Sequence, residues 1–163
     1  MKNETVIQKG IESAQKLSMN GIRPMSTGEA LRKSAGLLER SEIAMVGSND
    51  QDGYPNIKAM FKIEAEGINN IWFSTNTSSK RVSQFRSDPR ACVYFYDHER
   101  FSGLLLVGDI EVVTDSACKQ RLWRQGWEAY YPQGVTDPEY CALQFAARWG
   151  NYYHGLQNVS FDL

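Results

Sequence analysis

From Gly53 to Arg81 the sequence reads GYPNIKAMFKIEAEGINNIWFSTNTSSKR, and this stretch limits the possible folds more than any other. Ile57, Ala59, Phe61 and Ile63 alternate with Asn56, Lys58, Met60 and Lys62, as successive residues of a strand do. An apolar face therefore backs a face carrying two cations. Glu66-Gly67 and Asn69-Asn70 supply turn residues, and Ile71 to Thr75 forms the second strand of a central hairpin. Ser78-Ser79-Lys80-Arg81 then opens a helix. The first backbone N–H groups of a helix lack internal partners and favour an anion. Hydroxyls, cations and a helix start lie together, with Lys58 joining them across the hairpin. That combination suits a phosphate.

The flanking segments follow the same logic. Ile7, Ile11, Ala14 and Leu17 predict a first helix over Val6 to Leu17, ended by Asn20-Gly21. Ser26 and Glu29 form an S-x-x-E capping box for a second helix that buries Leu31, Ala35 and Leu38. Both helices are expected to pack over one end of a barrel. Glu42 to Ser48 reads as a strand, and Asn49 to Gly53 as a hairpin loop. Pro55 marks an edge or entry position. The helix after Thr77 buries Val82 and Phe85 and stops before Asp88-Pro89.

Arg90 to Tyr96 alternates as a strand, and Leu104 to Val113 is a longer one with a bulge expected at Gly108. Asp115 caps a predicted helix containing Leu122, Trp123, Trp127 and Tyr130. Cys141 to Ala147 is a sixth strand, and a last one is expected around Tyr152-Tyr153 or Val159-Phe161. No regular βαβ alternation occurs, which argues against a parallel sheet. The expectation is a mainly β chain with α additions: a six- to seven-stranded antiparallel barrel with helices at its ends. Residues 1–25 form a helix and connector, and 26–163 the barrel domain.

Composition removes several classes of function. Eighteen basic against nineteen acidic residues leave a net charge of −1, unlike a general nucleic-acid binder. No apolar run reaches membrane-spanning length, and MKNETVIQKG lacks a signal-peptide core, so a cytoplasmic location is expected. Cys92, Cys118 and Cys141 are widely spaced without a CxxC pair, which suits reduced thiols. With only His98 and His154 besides, no metal site is expected. Trp149, Tyr152 and Tyr153 read as sheet or interface packing, with stacking on a ring as the sharper alternative.

In order and spacing, GYPNIKAM, IWFSTNTSSKR, DPRACVYFYD and LVGDIEVVTD resemble the flavin-binding split-barrel proteins related to pyridoxamine 5′-phosphate oxidase, over roughly residues 27–155. The short general-stress-type members are the most alike. The resemblance implies an FMN-binding split barrel. Ser79, Lys80 and Arg81 would hold the phosphate, and Lys58 would take a place usually held by arginine. Ala59 and Met60 would line the isoalloxazine through backbone groups. Phe73, Ser74 and Thr75 would close the site. It also implies a homodimer with the flavin in the groove between subunits. The arginine- and histidine-bearing C-terminal motif that grips pyridoxal phosphate in the true oxidases is missing from RWGNYYHGLQNVSFDL. Pyridoxamine oxidation is therefore not expected. The reading is an FMN-dependent oxidoreductase moving electrons from a donor such as NAD(P)H to a small acceptor. The alternatives are a non-catalytic flavin carrier or stress sensor, and a barrel that holds heme or a deazaflavin instead.

Overall fold

The computed structural model describes residues 6–19, 21 and 23–163, with the side chains of all of these except Val6 and Leu17. The Leu17 side chain of the expected first helix, and Asn20 of the Asn20-Gly21 pair expected to end it, fall outside that description.

Helices α1 (Val6–Met19) and α2 (Thr27–Arg40) lead into β1 (Ile43–Asn49), β2 (Pro55–Phe61), β3 (Glu64–Glu66) and β4 (Asn70–Asn76). Helix α3 (Lys80–Ser87), β5 (Arg90–Asp97), β6 (Ser102–Val113), α4 (Ser116–Leu122), β7 (Tyr140–His154) and β8 (Gln157–Asp162) complete the chain. All strand pairs are antiparallel, in the order β2-β1-β5-β6-β7-β4-β3, with β8 on the free flank of β7. The sheet curls until β2 comes alongside β4, giving a split half-barrel.

Among the described residues eight strands stand where six or seven are expected, because the strand expected over Ile57 to Ile63 changes partner near its end. Lys62 N–H bonds Glu42 O beside β1 at 2.8 Å, and the next residue, Ile63, sends its N–H to Trp72 O in β4 at 2.9 Å. Consecutive strand amides point in opposite directions, so one step carries the chain from one side of the split to the other. The central hairpin is thus not β2 with β4. β2 pairs with β1 along its whole length, and only β3 pairs back onto β4. At the other end of the chain, Tyr152 and Tyr153 belong to the long β7, and Val159 and Phe161 to a separate β8.

The alternation of β2 is present, but its faces lie the other way round. Met60 packs in the core, whereas Ile57 and Phe61 are 64% and 69% exposed. They continue an outer apolar face through Ile43 of β1, the register partner of Phe61, and through Met45 of β1 and its own partner Tyr94 of β5. Pro55 opens this edge strand, where a missing N–H costs little.

The helices cap as their sequences indicate, with two corrections. Ser26 Oγ accepts from Glu29 N at 3.2 Å, but the Glu29 carboxylate pairs with Arg23 and Lys33. The capping box is therefore half made. The buried face of α2 is Ala30, Ser34, Leu37 and Leu38; Leu31 is only partly covered and Ala35 is exposed. Ile7 and Ile11 of α1 are exposed, so that stripe is not buried against the barrel. Asp115 caps α4 through Ala117 N and Cys118 N, but the helix stops at Leu122. Trp127 sits in a 3-10 turn after Gly126, whose φ of 92° breaks helical geometry. At Gly108 the β6–β7 register shifts, and an added Cβ would collide with Ala146 O.

Candidate functional site

β4 delivers Thr75 to the mouth of α3. Thr77, Ser78 and Ser79 turn the chain, and Lys80 and Arg81 open the helix. Ser79 is the N-cap, yet its hydroxyl makes no capping bond; it lies 3.4 Å from Thr75 Oγ1. The inner face of β2 brings Asn56, Lys58 and Met60 opposite this turn. Together these groups line a first cavity of about 200 Å³ with Ser79, Lys80, Arg81 and Gln84. It is lined by three cations and no carboxylate.

Arg81 is half-buried and makes no ion pair or hydrogen bond among the described residues. Burial lowers the pKa of its guanidinium below the ordinary value, as expected for a cation short of compensation. Gln84 was not among the residues expected from sequence. Only 7% exposed, it accepts at Oε1 from Ser48 Oγ at 2.8 Å, while its Nε2 is buried without a partner. Its position gave the available signal: an amide between Val82 and Phe85, on the side of α3 that both bury.

The expected site residues do not form one cluster. Lys58, Met60, Ser79, Lys80 and Arg81 line the first cavity, and Thr75 touches it through Ser79. Ala59 projects on the outer face of β2, and Phe73 is fully buried in the core. Neither side chain lines the cavity. Ser74 lines a second, larger cavity of about 550 Å³, with Phe61, Lys62, Asn76, Arg124, Trp127 and two tyrosines.

Elsewhere, Trp149 lies on the outer sheet face, Tyr152 is core, and Tyr153 meets Phe101 edge-on at 5.8 Å. His98 is exposed in a loop. Burial, with Lys33 nearby, lowers the pKa of His154. Cys92, Cys118 and Cys141 are free, and burial raises each thiol pKa, which does not favour a nucleophile. No helix of the described residues is long and apolar enough to cross a membrane.

Residues 29–161 match the model of the family described as pyridoxamine 5′-phosphate oxidase like. The chain belongs to that family. A crystal structure from Clostridium acetobutylicum, of a protein related to general stress protein 26 of B. subtilis, is similar at 46% identity and a TM-score of 0.77. That likeness covers 85% of this chain and 97% of the other. General stress protein 26 from Bacillus anthracis has the same fold at 15% identity and a TM-score of 0.69, over 82% of this chain and 98% of that one. A heme binding protein from Mycobacterium smegmatis shares the fold at 13% identity and a TM-score of 0.66, over 87% of this chain and 60% of its own. No curated protein matches. In this pyridoxamine 5′-phosphate oxidase-like chain, the architecture shared with these structures is the split barrel, and the first cavity lies where the barrel wall meets the start of α3.

Proposed function

We propose that this chain binds FMN, with the phosphate in the first cavity, and serves as a flavin-dependent oxidoreductase. The observation that carries the reading is the half-buried, unpaired Arg81, set with Lys58 and Lys80 around a cavity without carboxylates. A phosphate monoester brings about −1.5 to −2 charges at neutral pH. Two or three cations and a helix start match that charge; one alone would not. Lys58 supplies a point charge, without the two-pronged grip of arginine. The residues present therefore fit the group that the family implies.

In this reading Lys58, Lys80 and Arg81 neutralise the phosphate, Ser79 offers a hydroxyl, and the first α3 amides face the anion. When bound, FMN supplies the electron transfer, taking electrons from a donor such as NAD(P)H and passing them to a small acceptor. The chain's own part is to bind, orient and shield.

The outer apolar face of Ile43, Met45, Ile57, Phe61 and Tyr94 supports a homodimer, since monomers seldom leave such a patch open. A second subunit over that face would enclose the split between β2 and β4.

The test is titration of the purified protein with FMN, followed by visible absorbance, with hemin titrated in parallel. The reading expects saturable uptake of one FMN per chain and a shifted flavin spectrum. Uptake of hemin with a sharp Soret band, and none of FMN, would move the assignment to heme.

A further inference from the structure

Helix α1 lies wholly ahead of residues 29–161, the part that matches the family. It meets the barrel at the loop between β5 and β6. There Phe101 has a φ of 48°, the one positive value on a residue other than glycine among the described residues. L side chains rarely adopt that conformation. The Phe101 ring stands against Gly10 of α1, 3.5 Å from where a Cβ would be. Ile7, Gly10, Ile11 and Ala14 form with Phe101 an apolar groove of about 340 Å³, and no charged side chain lines it among the described residues. Ile7 and Ile11 remain 75% and 46% exposed.

This groove continues a larger surface. Phe101 meets Tyr96 edge-on at 6.5 Å and Tyr153 at 5.8 Å. Tyr94 shares the outer side of β5 with Tyr96, two residues on. The Tyr94 ring lies over Gly103 of β6, the register partner of Tyr153. On its other side Tyr94 is paired with Met45 of β1. An apolar path thus runs from the face proposed for a second subunit, across β5, to α1.

Area points the same way. At ~200 Å² for a whole large side chain, Ile43, Met45, Ile57, Phe61 and Tyr94 expose on the order of 500 Å². A stable dimer covers about 800 Å² on each partner. Tyr96, Ile7 and Ile11 bring the apolar face to about that size. A two-fold interface sets a patch against its own copy, and a stripe without charge meets no like-charge repulsion there.

We infer that α1 is an arm that docks on a second copy of this chain, with Ile7, Ile11 and the Phe101 groove extending the dimer face. The inference rests on the homodimer proposed above and adds to it a segment that lies outside the family match.

Sedimentation of the full chain over a concentration series, beside Ile7→Glu/Ile11→Glu, tests the arm. The variant dimer should dissociate at least tenfold more readily. Both isoleucines lie outside the core, so the far-UV spectrum should not change. Lys9→Glu/Lys16→Glu alters the opposite side of α1 and changes the net charge further, yet should leave the dissociation constant as it is. A wild type that stays monomeric would overturn the homodimer and the arm together. A dimer that holds equally well with Ile7→Glu/Ile11→Glu, or that the lysine pair weakens as much, would overturn the arm alone. So would capture of the wild type on phosphatidylglycerol vesicles through Ile7 and Ile11 with no change in dimer affinity, which would give the stripe to a lipid surface.

Discussion

Ser48 Oγ donates to Gln84 Oε1 at 2.8 Å, tying β1 to α3 beneath the first cavity. The bond fixes which way the buried amide points, and its Nε2 stays unpaired. Ser48→Ala would strand both ends of that amide. An unmet buried polar group costs about 1–3 kcal/mol, so urea unfolding should show a loss of that size. Adding Gln84→Leu should return part of it, because the amide is then gone. A double variant weaker than either single variant would contradict this.

Gly108 lies where β6 bulges, with Ala146 O in the place of its missing Cβ. Gly108→Ala must push backbone against backbone and should destabilise by about 1–3 kcal/mol. Gly28, in the first turn of α2, has nothing within 4 Å of an added Cβ. Gly28→Ala should stabilise by up to about 1 kcal/mol. Thermal unfolding of the two variants checks the opposite signs.

His154 gives a pH dependence whose sign follows from its surroundings. Burial, assisted by Lys33, lowers its pKa in the fold, against the partial opposition of a backbone hydrogen bond at Arg100. The unfolded chain, with an ordinary value near 6.5, takes up the proton first. Stability should therefore fall as pH drops below about 6.5 and level off once the folded form is protonated too. His154→Gln should flatten the urea midpoint between pH 7 and 5. The carboxylates of Asp88 and Asp97 have lowered values and lose their contribution only at lower pH.

The exposed side of β2 predicts an assembly. Light scattering on a size-exclusion column should give the mass of two chains. Phe61→Glu with Ile57→Glu should give one, with the far-UV spectrum unchanged. A monomeric wild type would remove the homodimer from the proposal.

Local chemistry was the part of this fold that could be read from residues. Asp115 and Ser26 cap as their types suggest, Asp88-Pro89 stops α3, and Gly108 marks the bulge. Each depends on a few neighbours. What could not be read depends on partners distant in sequence. Alternation shows that β2 has two faces, but not which one faces the core. That was settled by the step at Lys62-Ile63 and by the curl of the sheet. The four-residue spacing of Trp123 and Trp127 imitates a helix, yet Gly126 at positive φ and ring packing against Tyr140 decide otherwise. For the same reason, Lys58, Lys80 and Arg81 could be picked out in sequence, while the separation of Ser74 into another cavity could not.

The central claim is that Lys80 and Arg81 face a phosphate, and comparing FMN with riboflavin isolates it. Both ligands should be titrated into the wild type and into Lys80→Ala/Arg81→Ala by flavin fluorescence. The account predicts that the wild type prefers FMN by a hundredfold or more, on the order of 2.7 kcal/mol, and that the double variant loses most of this preference while riboflavin affinity holds. Equal losses for the two ligands, or a wild type indifferent to the phosphate, would contradict it.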